Sequence, residues 1–188
     1  YIGMELSKIY SGVTQRDSVT VIDRGFFSSR VSQLRRWGIN FEQIDILDKE
    51  KLQPLIKDAD IIYHLAGITD VGSTLGDKNT ERDREVRKVG IEGTRNIINL
   101  SADNTKIIFP STHVVFEGLK NTIKNIDEEF EPKPSLEYAL GKTTSEEDLK
   151  KSDKNYVILR LGSVYGKSSD SMRINIMPNL FSKITSLN

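Results

Sequence analysis

Cysteine is absent from this chain of 188 residues, and histidine occurs at two positions, His64 and His113. Without cysteine there can be no disulfide, no thiolate nucleophile and no sulfur-ligated metal centre. Two histidines are also too few for a histidine-rich metal site, so we expect no bound metal.

An excess of charge of one sign is lacking as well. Lysine plus arginine and aspartate plus glutamate each total 27, so the formal net charge is zero. No basic stripe favours a nucleic-acid partner. No apolar run is long enough to cross a bilayer and no signal peptide is recognisable, so we expect a cytoplasmic protein without a membrane partner.

Short apolar or β-branched segments alternate along the chain with segments of helical periodicity. Strands that are almost wholly apolar are typical of parallel sheets, which helical crossovers cover on both faces. The pattern predicts an α/β fold with a doubly wound parallel sheet and helices on both faces. The predicted strands are 18–23, 39–46, 60–66, 106–111 and 155–161, the helices 28–37, 49–57, 80–101 and 174–184, and the loops 68–79, 117–134 and 162–171.

Tyr138 and Lys142 lie four residues apart in a segment that predicts a helix from an N-cap at Ser135 to Lys151, with Tyr138 as its third residue. That spacing places the two side chains on one helix face. A free phenol titrates near pH ~10, and an ammonium one turn away would favour the phenolate. The pair is therefore a candidate catalytic base with its support. A solvated helix face is the alternative, because chance produces many such pairs.

Asp23 ends the first predicted strand, at the edge of the sheet where ligands bind in such folds. It follows Gly3 by about 20 residues, the spacing of the acid that accepts hydrogen bonds from the adenosine ribose of a dinucleotide. A carboxylate there would repel a 2′-phosphate, which favours NAD over NADP, although Arg24 keeps NADP open. The alternative is that Asp23 is a turn residue.

Several motifs in this order resemble the extended short-chain dehydrogenase/reductase family, which includes the NAD-dependent nucleotide-sugar epimerases and dehydratases. The resemblance covers essentially the whole chain and implies a Rossmann-like sheet. Besides Asp23 and Asp45-Ile46, the motifs are Tyr1-Ile2-Gly3, His64-Leu65-Ala66-Gly67, Ile91-Glu92-Gly93-Thr94, Ser111-Thr112 with Val115-Phe116, Tyr138 with Lys142, and Arg160-Leu161-Gly162-Ser163-Val164-Tyr165-Gly166.

The resemblance also implies roles for single residues. Lys142 would hold the nicotinamide ribose and favour the Tyr138 phenolate, which removes a proton from a substrate hydroxyl oriented by Thr112. The implied substrate contacts are Thr112, His113 and Ser163. The implied NAD contacts are Tyr1, Ile2, Gly3, Asp23, Asp45 and Ile46 (at the adenine), Leu65, Ala66, Gly67, Tyr138 and Lys142.

Two departures from the family pattern bear on the reaction. His113-Val114 replaces the Asp-Glu pair of the 4,6-dehydratases, and valine transfers no proton, so dehydration and the related decarboxylation are disfavoured. This leaves an epimerase acting by transient oxidation of a sugar hydroxyl, a reductase or dehydrogenase, or a non-catalytic dinucleotide-binding protein. Gly90 replaces an asparagine, and we expect its loss to loosen cofactor or loop positioning. We expect His64 to be structural and leave a role for His113 open.

The chain starts at Tyr1 in a helical pattern and ends after another. We therefore expect a fragment, in which 1–188 is a dinucleotide-binding domain truncated at both ends and the first strand and most of the substrate lobe are missing. Nothing in it identifies the sugar of the nucleotide-sugar substrate. By analogy with the family, helices 80–101 and 135–151 would pair with those of a second copy into a four-helix bundle, giving a homodimer.

Overall fold

The computed structural model describes residues 1–13, 18–69, 81–166, 168 and 176–186. The chain divides into two compact units, one formed by Tyr1–Asp45 with Ser163–Asn188 and the other by Ile46–Gly162. Helices alternate with parallel strands along the sequence, which confirms the predicted α/β class.

The first unit contains a pair of parallel strands. Thr20 pairs with Asn40 and the register continues to Asp23 beside Gln43. Its core consists of Met4, Leu34 and Ile39, packed against partly buried apolar side chains of the strands and of Trp37. The elements of this unit are α1 (Ile2–Ser11), β1 (Thr20–Asp23), α2 (Ser28–Arg36), β2 (Asn40–Gln43) and α6 (Met177–Ser186).

The second unit is built on a parallel sheet whose middle strand, β4, is hydrogen-bonded to β3 on one side and β5 on the other. Ile107 and Phe109 of β4 are completely or almost completely buried, as expected for a strand covered on both faces. The elements are α3 (Lys49–Ile56), β3 (Ile61–Tyr63), α4 (Glu81–Leu100), β4 (Lys106–Thr112), a short 3-10 helix (His113–Phe116), α5 (Glu137–Lys151) and β5 (Asn155–Leu161).

Helices α4 and α5 pack against each other through small residues. A Cβ atom at Gly90 would lie 3.9 Å from the Cα atom of Gly141, so the two backbones approach closely there. Gly93 faces Ile46, and a Cβ atom at that glycine would overlap the isoleucine side chain. At the rim, Arg87 pairs with Glu137 and Arg95 with Asp148.

Several predicted boundaries are corrected by the structure. The strand predicted at 39–46 is Asn40–Gln43, and the strand predicted at 60–66 is Ile61–Tyr63. The second of these ends early because the Leu65 N–H turns back to the carbonyl of Tyr63. Parts of four predictions fall outside the described residues: the first residue of helix 80–101, the first two residues of helix 174–184, most of the loop 68–79, and four residues of the loop 162–171.

The predicted N-cap at Ser135 is also wrong. The residue before the helix is Leu136, which offers no side-chain cap, so α5 begins at Glu137 and Tyr138 is its second residue. The Ser135 hydroxyl donates a hydrogen bond to Glu117 instead, and the same carboxylate accepts from the N–H groups of Ser135 and Leu136, the two residues before α5. Across the described ranges, no helix has both the length and the apolar character needed to span a membrane.

Candidate active site

Thr112 is the last residue of β4 and begins the 3-10 helix. Its Oγ1 accepts a hydrogen bond of 3.2 Å from the Val114 N–H, which fixes the side-chain rotamer in an extended backbone. Within the described residues its hydroxyl hydrogen has no acceptor, so the group is available to donate to a ligand oxygen. A buried strand therefore presents a hydroxyl donor at the carboxyl edge of the sheet.

Lys142 holds α5 against the same end of β4. Its Nζ donates a hydrogen bond of 2.7 Å to the carbonyl of Pro110 and lies 4.3 Å from the centroid of the Phe109 ring. Burial lowers the pKa of Lys142 to about 8, against a smaller opposing effect of the Glu146 carboxylate. The lysine is thus a buried cation held two residues from Thr112.

Tyr138 stands one helical turn before Lys142 and is half-buried. Ala139 and Gly141, between them, are buried, and α5 packs against both β4 and the 3-10 helix. The structure therefore brings the helix that carries the phenol and the ammonium onto the segment that carries Thr112. The spacing of Tyr138 and Lys142 predicts that they share one helix, as they do, while their role beside Thr112 is what the family resemblance implies.

A charged cluster, which we call the carboxylate–guanidinium cluster, consists of Ser111, Glu146 and Arg160. Arg160 Nη2 lies 2.8 Å from Glu146 Oε2, and the side chains are 13% and 2% exposed. Ser111 donates its hydroxyl hydrogen to the same carboxylate, and Arg160 Nη1 donates to the Glu128 carbonyl at 3.0 Å. The cluster ties together β4 next to Thr112, α5 one turn beyond Lys142, and β5.

A neutral cluster, the imidazole–hydroxyl cluster, consists of His64, Thr94, Ser145 and the carbonyl of Gly90. Thr94 donates its single hydroxyl hydrogen to that carbonyl at 2.6 Å, so His64 Nε2 must carry the hydrogen of its 2.9 Å bond to Thr94. Ser145 also lies within hydrogen-bonding distance of Gly90 and Thr94.

The His64 ring in this cluster is uncharged. Burial, and to a smaller extent the charge of Lys142, lowers the pKa of His64 to about 3. The imidazole is enclosed and neutral at physiological pH, which fits the structural role expected for it. The Gly90 backbone is held by two hydroxyl groups without the asparagine side chain of the family pattern.

His113 is the exposed first residue of the 3-10 helix. Its Nδ1 lies 3.2 Å from the Leu161 carbonyl, which can only accept, so Nδ1 carries the hydrogen. In the neutral ring Nε2 is then a hydrogen-bond acceptor at the end of β4 and β5. Ser163 is exposed just after β5 and belongs to the other compact unit.

The predicted cofactor residues of the first unit are Tyr1, Ile2, Gly3, Asp23 and Asp45. Asp23 is the last residue of β1, as predicted, and its Oδ1 accepts a hydrogen bond of 2.8 Å from the Gly25 N–H. It is thus a turn residue with a second oxygen left over. Ile2 and Gly3 lie in the first turn of α1, and the Tyr1 hydroxyl donates to the Gly166 carbonyl at 3.2 Å.

The predicted cofactor residues of the second unit that precede α4 have different surroundings. Ile46 is a core residue: its side chain packs at Gly93 and its carbonyl accepts a hydrogen bond of 2.9 Å from Asn96. Leu65 and Ala66 are half-buried, while Gly67 is exposed and has open space at its missing Cβ position. Among the described residues, no group of three His, Cys, Asp or Glu side chains could hold a metal ion.

Sequence reasoning missed Glu117 and Glu146, which shape this site, and it missed the ion pair that Arg160 forms. The signal for Glu146 was its position one turn after Lys142 on the same helix face. The signal for Arg160 was a charge within an apolar strand, since buried cations are paired. Glu117 gave no local signal, because its hydrogen-bonding partners lie 18 and 19 residues further along the chain.

Comparison with known proteins identifies the family. Residues 1–186 match the sequence profile of the NAD dependent epimerase/dehydratase family. The chain is 30% identical over 118 residues to the UDP-N-acetyl-alpha-D-glucosaminuronate decarboxylase of Bacillus cytotoxicus, which is 62% of this chain and 35% of that protein. It is 32% identical over 134 residues to the "Probable low-salt glycan biosynthesis reductase Agl14" of Haloferax volcanii, which is 69% of this chain and 42% of that protein.

Solved structures share the fold. The UDP-glucuronic acid 4-epimerase of Bacillus cereus, in complex with UDP-glucuronic acid and NAD, superposes with a TM-score of 0.76 at 23% identity. The match covers 99% of this chain and 60% of that one. This chain therefore spans less than two thirds of the relatives it matches. It belongs to the NAD dependent epimerase/dehydratase family of enzymes.

Proposed function

We propose that this chain is the dinucleotide-binding part of an NAD-dependent nucleotide-sugar epimerase that acts by transient oxidation of a sugar hydroxyl. In this proposal Tyr138 is the base, Lys142 supports it and Thr112 orients the substrate. The observation that carries it is the hydrogen bond from Lys142 Nζ to the Pro110 carbonyl, which seats α5 on the strand that ends in Thr112.

The side chains present fit a dinucleotide. An ammonium has three N–H donors, and within the described residues Lys142 uses one of them for a hydrogen bond. The two others suit the hydroxyls of a ribose. Asp23 likewise keeps one carboxylate oxygen without a partner in the described part of the chain, and a carboxylate favours NAD over NADP.

The remaining predicted NAD contacts belong to the proposal as well. Gly67 leaves open space at the end of β3, where a ligand could lie against the backbone. The contacts of Tyr1, Ile2, Gly3, Asp45, Ile46, Leu65 and Ala66 with NAD also belong to the proposal.

The chemistry follows from the residue types. When bound, NAD would supply the hydride acceptor that no side chain provides, and the carbon is inverted if the ketone turns over and takes the hydride back on its other face. Tyr138 takes the hydroxyl proton as the carbon is oxidised and gives it back afterwards. The Lys142 ammonium favours the phenolate, and the Thr112 hydroxyl donates to the reacting oxygen. His113 and Ser163 would contact the substrate, His113 through its Nε2 acceptor.

A reductase that releases its product is the second candidate, and the similarity to the archaeal reductase favours it. The epimerase and the reductase differ in how long the cofactor stays bound, because an epimerase must regenerate NAD in place. Full-length protein should therefore be purified without added cofactor and denatured, and the released NAD measured. Near-stoichiometric NAD supports the epimerase; its absence, with turnover that requires added NADH or NADPH, supports the reductase.

The substrate itself requires a direct assay. Full-length protein should be incubated with a panel of UDP-, GDP- and dTDP-sugars, and products separated by ion-pair chromatography. We expect one nucleotide sugar to give a stereoisomer of the same mass. A product of lower mass, from loss of water or carbon dioxide, would refute the epimerase assignment.

A homodimer through α4 and α5 and a cytoplasmic location stay predictions. The outward faces of these helices carry ion pairs such as Arg95 with Asp148, and none of the large exposed apolar side chains among the described residues lies on them. A bundle formed there would be polar. Light scattering at two salt concentrations tests this, since screening would dissociate such an interface.

A further inference from the structure

We propose that Glu117 is a positioning residue that connects the turn after Thr112 to the two residues that lead into α5, and so fixes Tyr138 relative to Thr112. This inference rests on the proposed function of the Thr112, Tyr138 and Lys142 site. It concerns a residue outside the family motifs, in the segment predicted as the long loop 117–134.

The evidence at the helix is a cap that comes from a distant residue. Glu117 Oε1 accepts hydrogen bonds of 2.7 Å from the backbone N–H groups of Ser135 and Leu136, and one of 3.1 Å from the Ser135 hydroxyl. Leu136 is the residue before the helix and its side chain offers no cap, and Glu117 supplies the acceptor that the Leu136 N–H needs. A carboxylate there is also favourable for the helix dipole.

The other end of the connection is the Thr112 turn. Thr112 Oγ1 caps the 3-10 helix, which ends at Phe116, and the Glu117 N–H donates to the Val114 carbonyl at 3.1 Å. Glu117 is therefore attached to a turn whose first hydrogen bond is made by Thr112 itself.

The backbone on both sides of Glu117 is also hydrogen-bonded to the segment that leads into α5. The Lys133 N–H donates to the Val115 carbonyl at 2.9 Å, and the Gly118 N–H donates to the Lys133 carbonyl at 2.8 Å. A Cβ atom at Gly118 would overlap that carbonyl, so only glycine permits this approach. The segment that ends at Leu136 thus reaches α5 from a fixed direction.

The consequence for the site follows from distance along the chain. Tyr138 is two residues beyond Leu136, so a shift of the first turn of α5 moves the phenol directly. A displacement of about 1 Å at a reacting group can cost roughly 10²-fold in rate. Lys142 is held separately, by Pro110, and should be less affected.

The test uses full-length protein and the nucleotide sugar that it turns over fastest. In Glu117→Ala we expect kcat to fall by about 10-fold or more, with KM and the NAD dissociation constant within about 2-fold of wild type. Glu117→Gln keeps an acceptor oxygen and should restore most of the rate. Glu131→Ala is the matched control, because Glu131 is exposed in the same loop and has no hydrogen bond among the described residues.

Hydrogen exchange supplies a readout independent of activity. Amide exchange at Ser135 and Leu136 should accelerate by about 10-fold or more in Glu117→Ala and not in Glu117→Gln. If Glu117→Gln loses as much activity as Glu117→Ala, the charge itself acts and positioning is refuted. An unchanged kcat in Glu117→Ala refutes it as well.

A double variant separates this inference from the proposed function. If Glu117 acts through Tyr138, adding Glu117→Ala to Tyr138→Phe should reduce the residual rate by less than about 2-fold. A full 10-fold further loss would show that Glu117 acts elsewhere. Should Tyr138→Phe alone be fully active, the proposed function fails whatever the Glu117 variants do.

Discussion

Two buried polar clusters flank Lys142, and they differ in charge. The imidazole–hydroxyl cluster joins His64 at the end of β3 to α4 and α5 through neutral hydrogen bonds. The carboxylate–guanidinium cluster joins α5 to β4 and β5 through an ion pair, with Glu146 almost fully buried.

The difference explains how a buried ammonium is kept charged. Burial lowers the pKa of Lys142 to about 8, and Glu146 limits that fall from the charged side. On the neutral side His64 does not compete for the proton, because its own pKa is lowered to about 3. One cluster therefore supports the cation, and the other encloses it without a second charge.

The largest effect on stability should come from breaking the charged cluster. Glu146→Ala leaves the largely buried Arg160 guanidinium without its carboxylate partner, and we expect the free energy of unfolding to fall by about 3–5 kcal/mol. Urea denaturation measures this. Glu147→Ala is the control: its side chain is 58% exposed and its Lys151 partner 75%, so it should cost less than about 1 kcal/mol. Similar losses in both variants would contradict the importance of the buried pair.

The neutral cluster should respond to acid. His64 has a pKa near 3 in the folded chain and 6.5 as its ordinary value, so the unfolded chain binds more protons between these limits. The contribution of His64 to stability is therefore fully present above pH ~6.5 and is lost as the pH falls. Between pH 7 and pH 5 this residue should lower the free energy of unfolding by about 2 kcal/mol. In His64→Gln, urea denaturation at the two pH values should no longer show this difference in the free energy of unfolding. An unchanged acid dependence would show that His64 is not buried as a neutral ring.

Between the clusters, Lys142 itself should carry a stability cost. Lys142→Met keeps the shape of the side chain and removes both the buried charge and the hydrogen bond to the Pro110 carbonyl. Because the cost of burying the charge exceeds the gain from one hydrogen bond, we expect the free energy of unfolding at pH 7 to rise by about 1–2 kcal/mol while activity is lost. The pKa of the lysine is lowered by folding, so wild-type stability increases with pH from about 8 to about 10.5 and the two proteins converge. A variant less stable than wild type at pH 7 would contradict this account.

The smallest effect tests the helix contact beside the neutral cluster. A Cβ atom at Gly90 would make an ordinary contact of 3.9 Å with Gly141, and its carbonyl would be unchanged. Gly90→Ala should therefore raise the free energy of unfolding by about 0.5–1 kcal/mol, from helix propensity alone. Gly93→Ala is the opposite control, because its Cβ would overlap Ile46 and the variant should be less stable. Thermal unfolding distinguishes the two.

The sequence predicted what depends on local pattern. The apolar runs located β4 and β5, the strand end at Asp23 was correct, and the four-residue spacing put Tyr138 and Lys142 on one helix. The family motifs identified Thr112 as a candidate catalytic residue. These features are visible because helix and strand periodicity is encoded in adjacent residues.

What the sequence did not predict depends on residues far apart in the chain. Ser135 has the chemistry of an N-cap, yet Glu117 supplies the acceptor from 18 residues away, and no periodicity signals such a bond. The ion pair of Glu146 with Arg160 spans 14 residues and two elements. The predicted second and third strands were too long because apolar residues continue after the backbone has left the sheet.

The most direct test of the central claim is the turnover of Tyr138→Phe in full-length protein, measured together with its NAD affinity. Removing a general base should lower kcat by roughly 10²–10⁴-fold, while the NAD dissociation constant stays within about 2-fold of wild type. A variant that binds NAD normally and epimerises its nucleotide sugar at the wild-type rate would contradict the assignment of the phenol as the catalytic base.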